Sequence, residues 1–324
     1  MTRPSASLFA RIVHELTTLS RDSVKVYLTL MRVMIPAIIA VKLLDMAGAT
    51  QWLAWLLSPA MHLVGLPESM GIVWATTLVT NIYTAMAIFF TVSATESLTV
   101  AQVTVLSTMM LIAHALPVEG AIAKAAGMSW RMTIALRVGG AMVLGGLLNL
   151  AYRATGSLQQ TNVLQWQPDA PDPGLLSWAL GQLQVIAMIL PIIAVLMLLL
   201  RVLRLIGVER LLHVLLSPLL KAIGIGRQAA NTTIIGIMLG ISYGGGLLIR
   251  EAKSGAVGKR DILLTLAFLN LCHSLIEDTL VMMLLGADLS GILWARLAFS
   301  LLVIGVIARL MPQGSAAPKR ALSS

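Results

Sequence analysis

Thiols are almost missing from this chain: Cys272 stands alone among 324 residues, which excludes an internal disulfide and leaves no thiolate cluster for a soft metal. Charge is scarce too, at 11% of residues, where soluble domains carry about a quarter. Hydrophobic residues make up 58% and mean hydropathy is +0.89, so the chain belongs in a lipid bilayer. There is no Gly-rich phosphate loop, which argues against nucleotide hydrolysis, and no His-Glu-x-x-His pair on one helix, which argues against an intramembrane metalloprotease. Neither an enzymatic role nor a resident cofactor is expected. Acidic residues are the minority sign, 14 against 23 basic, giving a net charge of +9. The basic residues are scattered along loops instead of forming a face with interleaved aromatics, so nucleic acid is not an expected partner.

What the chain has is apolar stretches near the roughly 20 residues that span a hydrocarbon core, among them 24–48, 70–92, 132–152, 178–200 and 292–310. Ahead of them, Leu8, Phe9, Ile12, Val13, Leu16 and Leu19 recur at helical spacing with charges between, so residues 1–23 read as a retained amphipathic helix on the membrane surface. Arg3, Arg11, Arg21 and Lys25 place the N-terminus in the cytoplasm by the positive-inside rule. The linker at 154–176 is polar, carries Asp169 and Asp172, and has no basic residue, so it is expected outside. Arg201, Arg204 and Arg210 then return the chain to the cytoplasmic side, where the tail at 313–324 also falls.

A duplication organises the rest. Gly48, Ser58, Pro59, Gly65, His114, Gly127 and Arg137 recur as Gly207, Ser217, Pro218, Gly224, His273, Gly286 and Arg296, at one constant offset of 159, and Glu119 is answered by Asp278. The halves are 24–153 and 177–312. The loop at 93–99 has no basic residue, whereas its counterpart holds Arg250, Lys253, Lys259 and Arg260, so equivalent loops face opposite sides. The expected fold is an all-α, polytopic transmembrane bundle of two inverted-topology repeats with broken helices. Each repeat has about five membrane elements, expected at 24–47, 50–64, 69–92, 100–127 and 131–152, then at 177–205, 209–223, 229–250, 261–286 and 290–311. Inverted repeats place a binding site between the halves.

The candidate site residues follow from where polarity interrupts apolar helices. In the segment from His114 to Gly120, Pro117 removes a donor and points to a discontinuous helix. Its counterpart gathers Asn270, His273, Glu277 and Asp278 within ten residues. A carboxylate at the bilayer centre costs on the order of 2.5 to 3.5 kcal/mol, so keeping Glu119, Glu277 and Asp278 there implies a use. Asn81 and Tyr83 in the first half, with Ser242 and Tyr243 before Gly244-Gly245-Gly246 in the second, form a further polar strip; Tyr83 and Tyr243 align only after a one-residue slip. Arg137 and Arg296 either neutralise the carboxylates or snorkel to the interface. Ser58-Pro59 and Ser217-Pro218 read as helix breakers. No metal is assigned, although a divalent cation held by the acids and histidines stays open.

The repeated His-x-x-x-x-acidic segments, the Leu-Leu-Ser-Pro elements ending at Gly65 and Gly224, and Ser242-Tyr243-Gly-Gly-Gly resemble the bacterial nucleoside recognition family of membrane proteins. Those proteins carry Gate repeats, also found in spore maturation proteins and in the membrane region of the large ferrous-iron transporter. The resemblance covers both halves. It implies a multi-pass protein of the bacterial inner membrane that moves a small polar solute, nucleoside-like, or a cation through a site at the repeat interface. Spore maturation proteins supply the alternative, a non-transporting scaffold or assembly partner. The lipid bilayer is the expected partner, and a homo-oligomer stays open.

Overall fold

The computed structural model describes residues 8–164, 174–254 and 257–311. The tail at 313–324, and Asp169 and Asp172 in the linker, lie outside them. The described residues are helical throughout, apart from connecting turns and an isolated bridge between Thr99 and Thr161.

The first repeat begins with α1 (Leu8–Met46), which runs unbroken through the boundary expected at residue 23. It continues with α2 (Ala49–Leu63), α3 (Met70–Val79), α4 (Ile82–Ser93), α5 (Val100–Ile112), α6 (Leu116–Ala125), α7 (Trp130–Ile134), a π-helical stretch Ala135–Gly139, and α8 (Gly140–Thr155). The second repeats this order as α9 (Leu175–Leu205), α10 (Val208–Ala222), α11 (Arg227–Ser254), α12 (Lys259–Leu271), α13 (Glu277–Leu284), a π-helical stretch Ser290–Ala295, and α14 (Arg296–Leu310).

Among the described residues, five segments are long and apolar enough to cross a membrane: 17–44, 100–125, 130–155, 175–203 and 290–310. The elements expected at 50–64 and 209–223 are shorter. α2 and α10 have 15 residues each, about 22 Å of helix against a core of about 30 Å. Pro59 and Pro218 do not break them, since each lies inside its helix. Packing of α2 on α3 and of α10 on α11 holds the turn that proline alone would open. Both helices end instead at Gly65 and Gly224, whose φ angles of 73° and 88° suit only a residue without Cβ.

The relation between the halves can be read from contacts that a two-fold axis maps onto themselves. The Tyr27 hydroxyl donates to the Ile186 carbonyl at 3.3 Å, and these positions are 159 apart in sequence. Ser23 approaches Met197, and the Lys42 ammonium lies over the Trp178 ring, so a rising number on α1 meets a falling number on α9. α1 and α9 are therefore antiparallel. The axis that exchanges them runs across the helices, in the plane of the membrane, and the second repeat is inverted as the loop charges require. Exchange is reciprocal elsewhere too: α5 packs on the π-helical stretch of the second repeat, and α12 on that of the first.

Exposed leucines such as Leu43, Leu147, Leu150 and Leu183 cover the outward faces, where lipid takes the place of a packed neighbour. The buried core instead holds Phe89, Phe268 and several methionines, including Met34, Met86 and Met109.

Candidate functional site

Each repeat contains two broken helices, and the breaks match across the duplication. Between α5 and α6 the chain turns through Ala115 at φ 45°; between α12 and α13 it turns through Ser274, also at φ 45°. The Ala115 amide donates to the Thr77 carbonyl at 3.1 Å, and the Leu275 amide to the Ile237 carbonyl at 2.8 Å. These bonds satisfy groups that a helix end leaves open inside a membrane. The second break needs no proline, and Pro117 sits in the first turn of α6, where its missing donor is not wanted. Proline is therefore compatible with this turn without causing it. The acceptors Thr77 and Ile237 break their own helices three residues later, at Thr80 and at Gly240. The one-residue slip seen for Tyr83 and Tyr243 thus holds for this whole layer.

These breaks bring His114, Glu119, His273 and Asp278 together, all of them buried. The imidazoles meet across the pseudo-two-fold axis, with Nε2 to Nε2 at 3.1 Å. Each Nδ1 points at the carbonyl four residues earlier, Met110 at 3.0 Å and Leu269 at 2.6 Å. Glu119 Oε1 lies 3.5 Å from His114 Nε2, and Glu119 Oε2 lies 3.4 Å from His273 Nε2. Asp278 Oδ2 is 3.9 Å from His114 Nε2 and accepts no hydrogen bond among the described residues. Both acids lie in the first turn of a half-helix, α6 or α13, where the helix dipole favours negative charge.

The arginines decide how tightly each half is held. Neither snorkels, because both are fully buried. Arg137 forms an ion pair with Glu119 through Nη1 and donates through Nη2 to the His114 carbonyl at 2.7 Å. Arg296 makes the equivalent bond to the His273 carbonyl at 3.3 Å, while its Nε and Nη1 have no hydrogen-bond partner among the described residues. The first repeat is thus closed by a salt bridge with no counterpart among the described residues of the second. Amide hydrogen exchange is expected to be slower across α6 than across α13, and equal protection would show that the ion pair does not stiffen its half.

The remaining sequence candidates fall around this centre. Glu277 accepts from the Tyr83 hydroxyl at 3.1 Å, a bond that links the two repeats. Asn270 is buried, donates to the Leu266 carbonyl at 2.8 Å and keeps Oδ1 without a partner among the described residues. Asn81 has a structural duty, since its Oδ1 caps α4 by accepting from the Thr84 amide at 2.9 Å. The side chains of Ser242 and Tyr243 lie outside the described residues. Arg137 and Arg296 were legible as repeated residues 18 positions after each acid; an interface role was the competing reading, and burial removes it.

The uncharacterized membrane protein YvoD of Bacillus subtilis (strain 168) is 30% identical over 287 residues, covering 86% of this chain and 89% of the relative. The chain belongs to the YvoD family. An alignment of that extent runs through both repeats and the site between them. No family model matches the sequence, and no solved structure matches it.

Proposed function

We propose that this protein is a secondary transporter or channel-like permease of the bacterial inner membrane, carrying a small polar solute or a cation through the His114, Glu119, His273 and Asp278 site. The observation that carries the reading is the meeting of two imidazoles and two carboxylates on the axis between inverted repeats, at four helix breaks. Ionisable groups at membrane depth default to function, and this architecture supplies the hinges for alternating access. The burial of the cluster corresponds to an occluded step, with neither side open. Both termini are assigned to the cytoplasm, and no catalytic step is assigned to the site. The resemblance to Gate-repeat proteins adds nucleosides to the solutes worth trying.

The same closed packing would suit a non-transporting scaffold of the spore maturation type, and flux separates the two. Purified protein in liposomes is expected to move a nucleoside or a divalent cation above the rate of protein-free vesicles, and Asp278→Asn and Glu119→Gln are each expected to lower that flux at least tenfold. Asp278→Asn is the cleaner variant, because Asp278 Oδ2 holds no hydrogen bond whose loss would loosen the fold. Absence of flux for every solute, or wild-type flux in both variants, would remove the permease reading.

A further inference from the structure

We propose that His114 Nε2, His273 Nε2 and the Glu119 carboxylate bind a divalent cation of the Zn²⁺, Fe²⁺ or Mn²⁺ type, with Asp278 alongside. The ion's role as cargo rests on the permease reading; the site itself does not.

The tautomers come first. Met110 and Leu269 offer carbonyl oxygens, which only accept, so each histidine carries its proton on Nδ1 and the Nε2 of each neutral ring is a lone pair. Two lone pairs then face one another at 3.1 Å. Such a contact is repulsive unless a positive charge lies between or beside them, and either a proton or a metal ion can supply it. Fixing Nδ1 on a backbone carbonyl is also the arrangement that orients an imidazole for metal binding through Nε2.

Distances then favour the metal. Ligands held about 2.0 to 2.2 Å from a tetrahedral ion stand about 3.3 to 3.6 Å from one another. The edges found are 3.1 Å between the imidazoles and one from each oxygen of Glu119: 3.5 Å from Oε1 to His114, and 3.4 Å from Oε2, the oxygen paired with Arg137, to His273. Asp278 Oδ2, buried and without a hydrogen-bond partner among the described residues, stands beside this cluster at 3.9 Å from His114 Nε2. Imidazole with carboxylate selects borderline transition metals over Mg²⁺ or Ca²⁺, which prefer an all-oxygen shell.

Charge sets the strength. Glu119, Glu277 and Asp278 face Arg137 and Arg296, a formal excess of one negative charge before any cation enters. A dication therefore leaves the site one charge positive, which holds the ion less firmly than a closed structural site would. That suits a cation which has to leave again.

The test uses the full-length protein in detergent or nanodiscs, titrated with Zn²⁺ alone and with Co²⁺ as a spectroscopic probe. One equivalent of Zn²⁺ is expected to bind and to survive excess Mg²⁺, with X-ray absorption showing scattering from two imidazoles, a readout that needs no variant. His114→Ala and His273→Ala, checked for an unchanged size-exclusion profile, are each expected to weaken binding at least about tenfold. No Zn²⁺ uptake, or uptake without imidazole scattering, overturns the site in favour of a shared proton. Uptake that both variants retain at full affinity overturns it as well. Flux in liposomes then divides the conclusions. Zn²⁺ bound at this site without transport of any solute keeps the site and removes the permease, whereas solute flux without Zn²⁺ binding keeps the permease and removes the metal.

Discussion

Arg137→Ala is expected to destabilise the protein by about 3 to 5 kcal/mol, the cost of stripping one partner from a buried ion pair. The Glu119 carboxylate would stay behind with no access to water, and the His114 carbonyl would lose its 2.7 Å donor at the same helix break. Arg296→Ala is expected to cost much less. That side chain is as deeply buried, but it makes a single 3.3 Å bond and no salt bridge among the described residues, and it already has nitrogens without acceptors. Melting of the purified variants in detergent, followed by size exclusion, measures the difference. Removing both partners in Arg137→Ala/Glu119→Ala should recover part of the loss, because the stranded charge is gone. Equal melting of the two arginine variants, or a double variant no better than Arg137→Ala, would show that the salt bridge does not hold the first repeat together.

Gly240→Ala is the second large effect. Gly240 has φ 76° and ψ 168°, a region reserved almost entirely for glycine, where another residue costs about 1 to 3 kcal/mol. A Cβ there would also come within 2.5 Å of Ser274 Oγ and within 3.7 Å of a His273 ring carbon. Rotation of the Ser274 hydroxyl can relieve part of this contact, since its Cβ is 3.8 Å away, so the larger cost is that of the backbone beside His273. Loss of stability and loss of flux should therefore appear together. Adding Ser274→Gly should relieve the crowding but not the backbone cost. At the equivalent break Thr80 keeps a negative φ of −111°, so Thr80→Ala, which removes only a hydroxyl bonded to the Thr76 carbonyl, should change little. If Gly240→Ala behaves like Thr80→Ala, the kink in α11 does not position the histidine.

Much of this was readable from residues alone. Composition dictates a membrane bundle, and the recurrence of His, Pro and Gly types at one spacing reveals the duplication, since such rare types do not coincide by chance in a leucine-rich chain. The antiparallel pairing of α1 with α9 agrees with the orientation taken from Arg250, Lys253, Lys259 and Arg260. The helix breaks at Thr80 and Gly240 were not legible as breaks, because no proline marks either one and each is held by a tertiary bond from a distant segment. Nor could the sequence say that the two histidines touch: that depends on how the halves dock, and hydropathy carries no record of docking. Pro59 and Pro218 misled in the opposite direction, since a local rule about helix breaking gives way when neighbouring helices support the turn.

The salt bridge present in one repeat and without a counterpart among the described residues of the other has a further consequence. Two halves descended from one ancestor would, if identical, give a molecule indifferent to which face of the membrane it opened toward. On the permease reading, the half with Arg137 and Glu119 would serve as the fixed wall and the half with Arg296 and Asp278 as the part free to rearrange. A permease built this way would lean toward one compartment before any gradient is applied.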